Sequence, residues 1–74
     1  MEELIAYIAR SLVDHPEAVE VLKLPGHALV YELRVAEEDR GRVIGREGQT
    51  IQAIRVLLKA AAASDEKPTL EIAG

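Results

Sequence analysis

Gly45 and Gly48 stand three residues apart, with Val43 and Ile44 before them and an amphipathic run from Gln49 after them. Arg46 and Glu47 occupy the two positions between. Glycine permits positive φ and close backbone approach, because no Cβ blocks either. A helix start presents N–H groups without intrahelical partners and the positive end of a dipole, and both attract phosphate. Residues 41–51 are therefore expected to form a short helix, a tight glycine loop and a second helix whose start faces the loop. Such an arrangement has the chemistry of a cradle for a nucleic-acid backbone.

Charge is distributed to suit such a cradle. The 74 residues carry a net charge of −4. Residues 40–59 nevertheless hold Arg40, Arg42, Arg46, Arg55 and Lys59 against the single acid Glu47, a local +4 that leaves −8 for the rest. A basic patch on an acidic body fits a small, positioned phosphate contact better than non-specific wrapping of a polyanion. Without the glycine loop, the same cations would serve equally well as an ordinary solvated helix face.

The elements that must position the loop follow from periodicity. Leu4, Ile5, Ile8 and Leu12 recur at helical spacing over residues 2–14, with Glu2 and Glu3 in the favourable first turn. Pro16 disfavours helical geometry at His15, so this helix is expected to stop near Asp14. Residues 18–23 predict a strand with Val19 and Val21 on one face, and Leu24-Pro25-Gly26-His27 a turn. Residues 28–36 alternate, with Leu29, Tyr31, Leu33 and Val35 inward and Glu32 and Arg34 toward water, which completes a hairpin. Glu37, Glu38 and Asp39 are expected to open the short helix, where acids complement the dipole, and Gly45 to end it.

The next helix is expected over about residues 48–63, with Ile51, Ile54, Leu58 and Ala61 on one stripe and Gln52, Arg55 and Lys59 on another face. Residues 60–63 are all alanine, strong helix formers whose small side chains predict close packing on the sheet. After the polar link Ser64-Asp65-Glu66-Lys67, Pro68 suits a strand start or edge, and Leu70 and Ile72 point one way from a last strand over 69–73.

The order helix, strand, strand, helix, helix, strand, with the glycine loop between the central helices, resembles the type II KH domain. That family's motif is an aliphatic pair, Gly-x-x-Gly, two residues and an aliphatic, which here is Val43-Ile44-Gly45-Arg46-Glu47-Gly48-Gln49-Thr50-Ile51. The resemblance covers residues 1–74 as a single KH domain and is strongest to small stand-alone bacterial KH proteins of the KhpA type. It implies an α+β fold in which a three-stranded sheet is covered on one face by three helices. It also implies the clamping of about four nucleotides of single-stranded RNA with the backbone on the loop, in an RNA chaperone or post-transcriptional regulator.

Carried over by position, Gly45 and Gly48 would let phosphates approach, and Arg46 would supply a charged contact. Ile44 and Ile51 would floor a groove for bases, with Arg40, Arg42 and Arg55 on its rim. Simpler readings stay open beside these: Ile44 and Ile51 as plain core, Arg55 and Lys59 as a solvated face. Glu47 departs from the family's basic or small loop residue. At about 4 Å a like-charge pair costs roughly 1 kcal/mol in water, so this carboxylate is expected to weaken binding unless it points outward. Aspartate at Gly45 or Gly48 is expected to keep the fold and abolish binding.

Other chemistries find little support. No cysteine is present, which excludes disulfides and thiolate metal sites. His15 and His27 fall in turns without a second pair of ligands, so neither a metal nor another cofactor is expected. Nucleophile elbows, P-loops and dinucleotide fingerprints are all missing, which argues against an enzyme. Tyr7 and Tyr31 are the only aromatics and make no stacking platform, unlike RNA-recognition motifs and OB-folds. With no apolar run near the roughly 20 residues of a membrane span and no signal-peptide pattern, a cytoplasmic setting is expected. The family resemblance further implies self-association or pairing with a larger KH-containing RNA-binding protein. The competing expectation is a protein-interaction module in which RNA binding is weak or lost.

Overall fold

Helix α1 spans Glu2–Leu12 in a computed structural model that describes residues 1–26 and 28–73. It buries Ile5 and Ala9 and tucks Leu4 and Ile8 partly beneath it. The helix ends two residues before the expected stop, with Val13 extended at φ −101° and ψ 160°. The cause lies elsewhere in the chain. The backbone N–H groups of Asp14 and His15 donate to the two carboxylate oxygens of Asp39, at 3.1 and 3.0 Å. Their donors are thereby drawn off the helical ladder.

Pro16–Ala18 form a single 3-10 turn rather than the start of a strand, and strand β1 is Glu20–Lys23. Strand β2, Val30–Arg34, is shorter than the alternation suggested but keeps its faces: Tyr31 and Leu33 are buried while Arg34 is exposed. The two pair antiparallel, Val21 opposite Leu33, as the hairpin requires. Of the intervening turn, His27 lies outside the described residues. Strand β3, Thr69–Ile72, pairs parallel to β2 with Leu70 opposite Tyr31, giving the sheet order β1-β2-β3. A parallel neighbour needs a crossover, and residues 35–68 supply it with two helices.

The first of these, α2, is Arg40–Ile44, and the second, α3, is Gln49–Ala61. Glu37–Asp39 do not open α2; they form their own 3-10 turn. Asp39 is 1% exposed and makes no cap bond to α2, because both its oxygens serve the α1 terminus. Three helices thus cover one face of the sheet in an α+β arrangement. Ile5 and Ala9 of α1, Val43 of α2, and Ile51, Ile54 and Leu58 of α3 close over Tyr31, Leu33 and Leu70. Each fully buried aliphatic there contributes roughly 1.5–3 kcal/mol.

The alanine run departs from expectation. Ala60, Ala61 and Ala63 are exposed rather than packed on the sheet. The buried stripe passes through Ile51, Ile54 and Leu58, and its continuation at Ala61 coincides with the last residue of α3, before Ala62 turns extended at ψ 157°. Ala61 is therefore exposed at the helix end.

Candidate nucleic-acid interface

The loop between α2 and α3 is built from three consecutive backbone devices. Gly45 ends α2 at φ 76° and ψ 173°, its N–H donating to the Gly41 carbonyl at 2.8 Å. The Gly48 N–H then donates to the Gly45 carbonyl at 3.1 Å, closing a four-residue turn. Within that turn Glu47 is left-handed at φ 55° and ψ 26°, and Gly48 follows at φ 76° and ψ 13°. The left-handed region is disfavoured for residues with a Cβ.

The two glycines are needed for different reasons. A Cβ at Gly45 would fall on Thr50 Oγ1, 2.7 Å from Thr50 Cβ and 2.8 Å from its backbone nitrogen. A Cβ at Gly48 would meet only Ile51 Cγ2, at 3.9 Å. The expectation that aspartate at Gly45 spares the fold is therefore corrected, since Thr50 already fills that space. Aspartate at Gly48 has room and bears only the backbone strain.

Around the turn, the positions named from the sequence separate. Ile51, at 6% exposure, belongs to the core, whereas Ile44, at 36%, comes to the surface beside the loop. Arg46 and Glu47 are both exposed, and Arg46 has no carboxylate within 4 Å among the described residues. Arg42 is paired with acids: its Nη2 lies 3.0 Å from Asp14 Oδ2, and its Nε 3.9 Å from Asp39 Oδ1. That pairing ties α2 to the end of α1. Arg40 is half-buried, its Nε shut from solvent without a partner among the described residues. Arg55 is half-buried on α3, where Nε and Nη2 both donate to the Leu70 carbonyl of β3, at 3.3 and 3.1 Å.

Three stripes divide α3. Ile51, Ile54 and Leu58 face the core. Gln52, Arg55, Val56 and Lys59 line one wall of a groove of about 260 Å³ whose other wall is Pro68 and Thr69. Ala53, Leu57, Ala60 and Ala61 form the third stripe, facing outward. The groove runs along α3 from the first turn after the loop, so a strand whose backbone sits on the loop can continue into it. Arg55 and Lys59 are its cations, and no carboxylate lines it. Sequence reasoning missed Thr50, Val56, Pro68 and Thr69. Val56 had a signal, being apolar yet outside the buried stripe; Pro68 and Thr69 had none, because only the crossover brings them opposite α3.

Over residues 2–72 the sequence matches the family model described as KhpA/KhpB, KH domain. The chain belongs to this KhpA/KhpB KH-domain family. Among its relatives, one in Treponema pallidum is 56% identical over 73 residues, covering 96% of this chain and 91% of that protein. A second, in Caldanaerobacter subterraneus subsp. tengcongensis, is 53% identical over 68 residues, covering 90% and 91% respectively. A third, in Chlamydia caviae, is 47% identical over 74 residues, covering 97% and 95%. Each of these carries the name RNA-binding protein KhpA. No solved structure matches the chain. The KH family's Gly-x-x-Gly signature coincides here with the Gly45–Gly48 turn and the start of α3.

Proposed function

We propose that this protein binds single-stranded RNA, with the phosphate backbone on the Gly45–Gly48 turn and bases entering the groove between α3 and β3. One observation carries the reading: an exposed Arg46 without a carboxylate partner among the described residues, on a glycine turn at the start of the helix that carries Arg55 and Lys59 along a groove. The names of its relatives support the same ligand. The setting that suits it is cytoplasmic, as an RNA chaperone or post-transcriptional regulator. Titration of the protein with a diverse pool of short single-stranded RNAs at low salt tests this. Binding that Gly48→Asp abolishes while the fold survives is the expected result; no binding to any member of the pool refutes it.

A second property is supported by the outward stripe of α3. Leu57 is 51% and Val56 65% exposed, beside Ala53, Ala60 and Ala61, with no charge inside the stripe. Contiguous exposed apolar surface marks interaction sites, and a core this small gains from association. The stripe fits self-association or pairing with a second KH-containing protein. Light scattering at high micromolar concentration should report a dimer that Leu57→Glu converts to monomer. A strict wild-type monomer would remove self-association and leave RNA binding untouched.

A further inference from the structure

In the groove beside β3, hydrogen-bond donors outnumber acceptors, and one of them is held rigidly. β3 is an edge strand, and the Thr69 and Ala73 N–H groups donate inward to the Leu29 and Leu33 carbonyls of the β2 segment. By the alternation of a parallel ladder, the intervening Leu70 turns its carbonyl to the open edge. Arg55 satisfies that carbonyl with Nε and Nη2. A guanidinium carries five N–H groups in a planar fork. Its Nε/Nη2 side is thus occupied by Leu70. Its other bidentate side, formed by Nη1 and the second N–H of Nη2, has no protein partner among the described residues. Nη1 is not shut from solvent, since the one buried and unpartnered side-chain nitrogen or oxygen described is Arg40 Nε.

A donor pair locked in orientation, in a groove with Gln52, Val56, Lys59, Pro68 and Thr69 around it and no carboxylate to compete, is a reading head for paired acceptors. We propose that Arg55 determines base specificity, selecting at one position a nucleobase that presents two adjacent acceptors. Guanine does so with N7 and O6, and cytosine with N3 and O2. Adenine places its amino donor beside N7 and N1, and uracil places N3–H between its carbonyls, so each sets donor against donor. The inference rests on the RNA-binding reading and deepens it from single-stranded RNA in general to a class of base. A good bidentate pair discriminates by about tenfold or more.

The probes are uridine pentanucleotides carrying one guanosine, cytidine or adenosine at each position in turn. For the wild type, one position should favour guanosine or cytidine about tenfold over uridine or adenosine. Arg55→Lys, which can still donate to the Leu70 carbonyl but lacks a second fork, should bring all four bases within about twofold at that position, whatever its effect on overall affinity. Gly48→Asp should weaken every probe alike, which separates loss of the backbone site from loss of base reading. The Arg55 Nε–H and Nη signals of the wild type give a measurement independent of any variant: guanosine or cytidine at the favoured position should shift and sharpen them, and uridine should not. A flat wild-type profile, a preference that survives Arg55→Lys, or unmoved guanidinium signals would each overturn the assignment.

Discussion

Alanine at the three glycines of the loop region should produce three different outcomes, and their order tests the geometry of the turn. Gly45 has φ 76° and ψ 173°, a region occupied almost only by glycine. Forcing a residue with a Cβ there costs about 1–3 kcal/mol in backbone strain. The added methyl also lands on Thr50, 2.7 Å from its Cβ and 2.8 Å from its nitrogen, and overpacking of this kind costs about 1–3 kcal/mol more. A chain of this length has a total stability of only about 4–11 kcal/mol, from roughly 0.05–0.15 kcal/mol per residue. Gly45→Ala should therefore remove a large share of it, lowering Tm by at least about 10 °C at about 4–8 °C per kcal/mol. Gly48 is left-handed, but a Cβ there meets nothing closer than Ile51 Cγ2 at 3.9 Å. Gly48→Ala should cost only about 1 kcal/mol. Gly41 lies inside α2 with open space where a Cβ would go. Gly41→Ala should stabilise by about 0.5–1 kcal/mol. Thermal and urea unfolding of the three variants at constant m-value gives the comparison. If Gly45→Ala is no worse than Gly48→Ala, the close approach of Thr50 does not hold the turn and the reasoning fails.

The remaining expectations concern charge and strain. Arg46→Ala should weaken RNA binding and reduce its salt slope by about 0.7, one phosphate contact on a single strand, while Glu47→Lys strengthens and steepens it; Lys23→Ala, exposed on the opposite edge strand β1, is the control. Unchanged slopes in both loop variants, with the fold intact, would move the phosphate site elsewhere. Glu47→Gly relieves a left-handed residue at φ 55° and should raise Tm by a few degrees, a net gain of about 0.5 kcal/mol after the added chain entropy of glycine; a fall in Tm would show that the Glu47 side chain is itself stabilising. Asp39→Asn sets an amide N–H₂ against one of the two backbone donors the carboxylate now accepts from Asp14 and His15. It should destabilise by about 2–4 kcal/mol in urea unfolding, and a change under 1 kcal/mol would contradict the latch between α1 and α2.

Local chemistry decided much of this protein in advance. Alternation through Tyr31 and Leu33, helical spacing of Ile51, Ile54 and Leu58, and two glycines three apart each act within a few residues, so the element order and the glycine turn were legible. Their ends were not, because partners distant in the chain set them. Asp39 takes the donors of Asp14 and His15, which shortens α1 and removes Asp39 from the role its position before a helix suggested. Arg42 and Arg55 look alike in a local count of charge. Folding sets one beside Asp14 and the other against the Leu70 carbonyl, at the wall of the groove between α3 and β3. The need for glycine at position 45 also lies in three dimensions, in the place Thr50 takes as α3 begins. A residue's conformational freedom and periodicity belong to its neighbours in sequence; which charges stay unpaired and which surfaces meet across a groove depend on the crossover that sets β3 beside β2 and α3 above it.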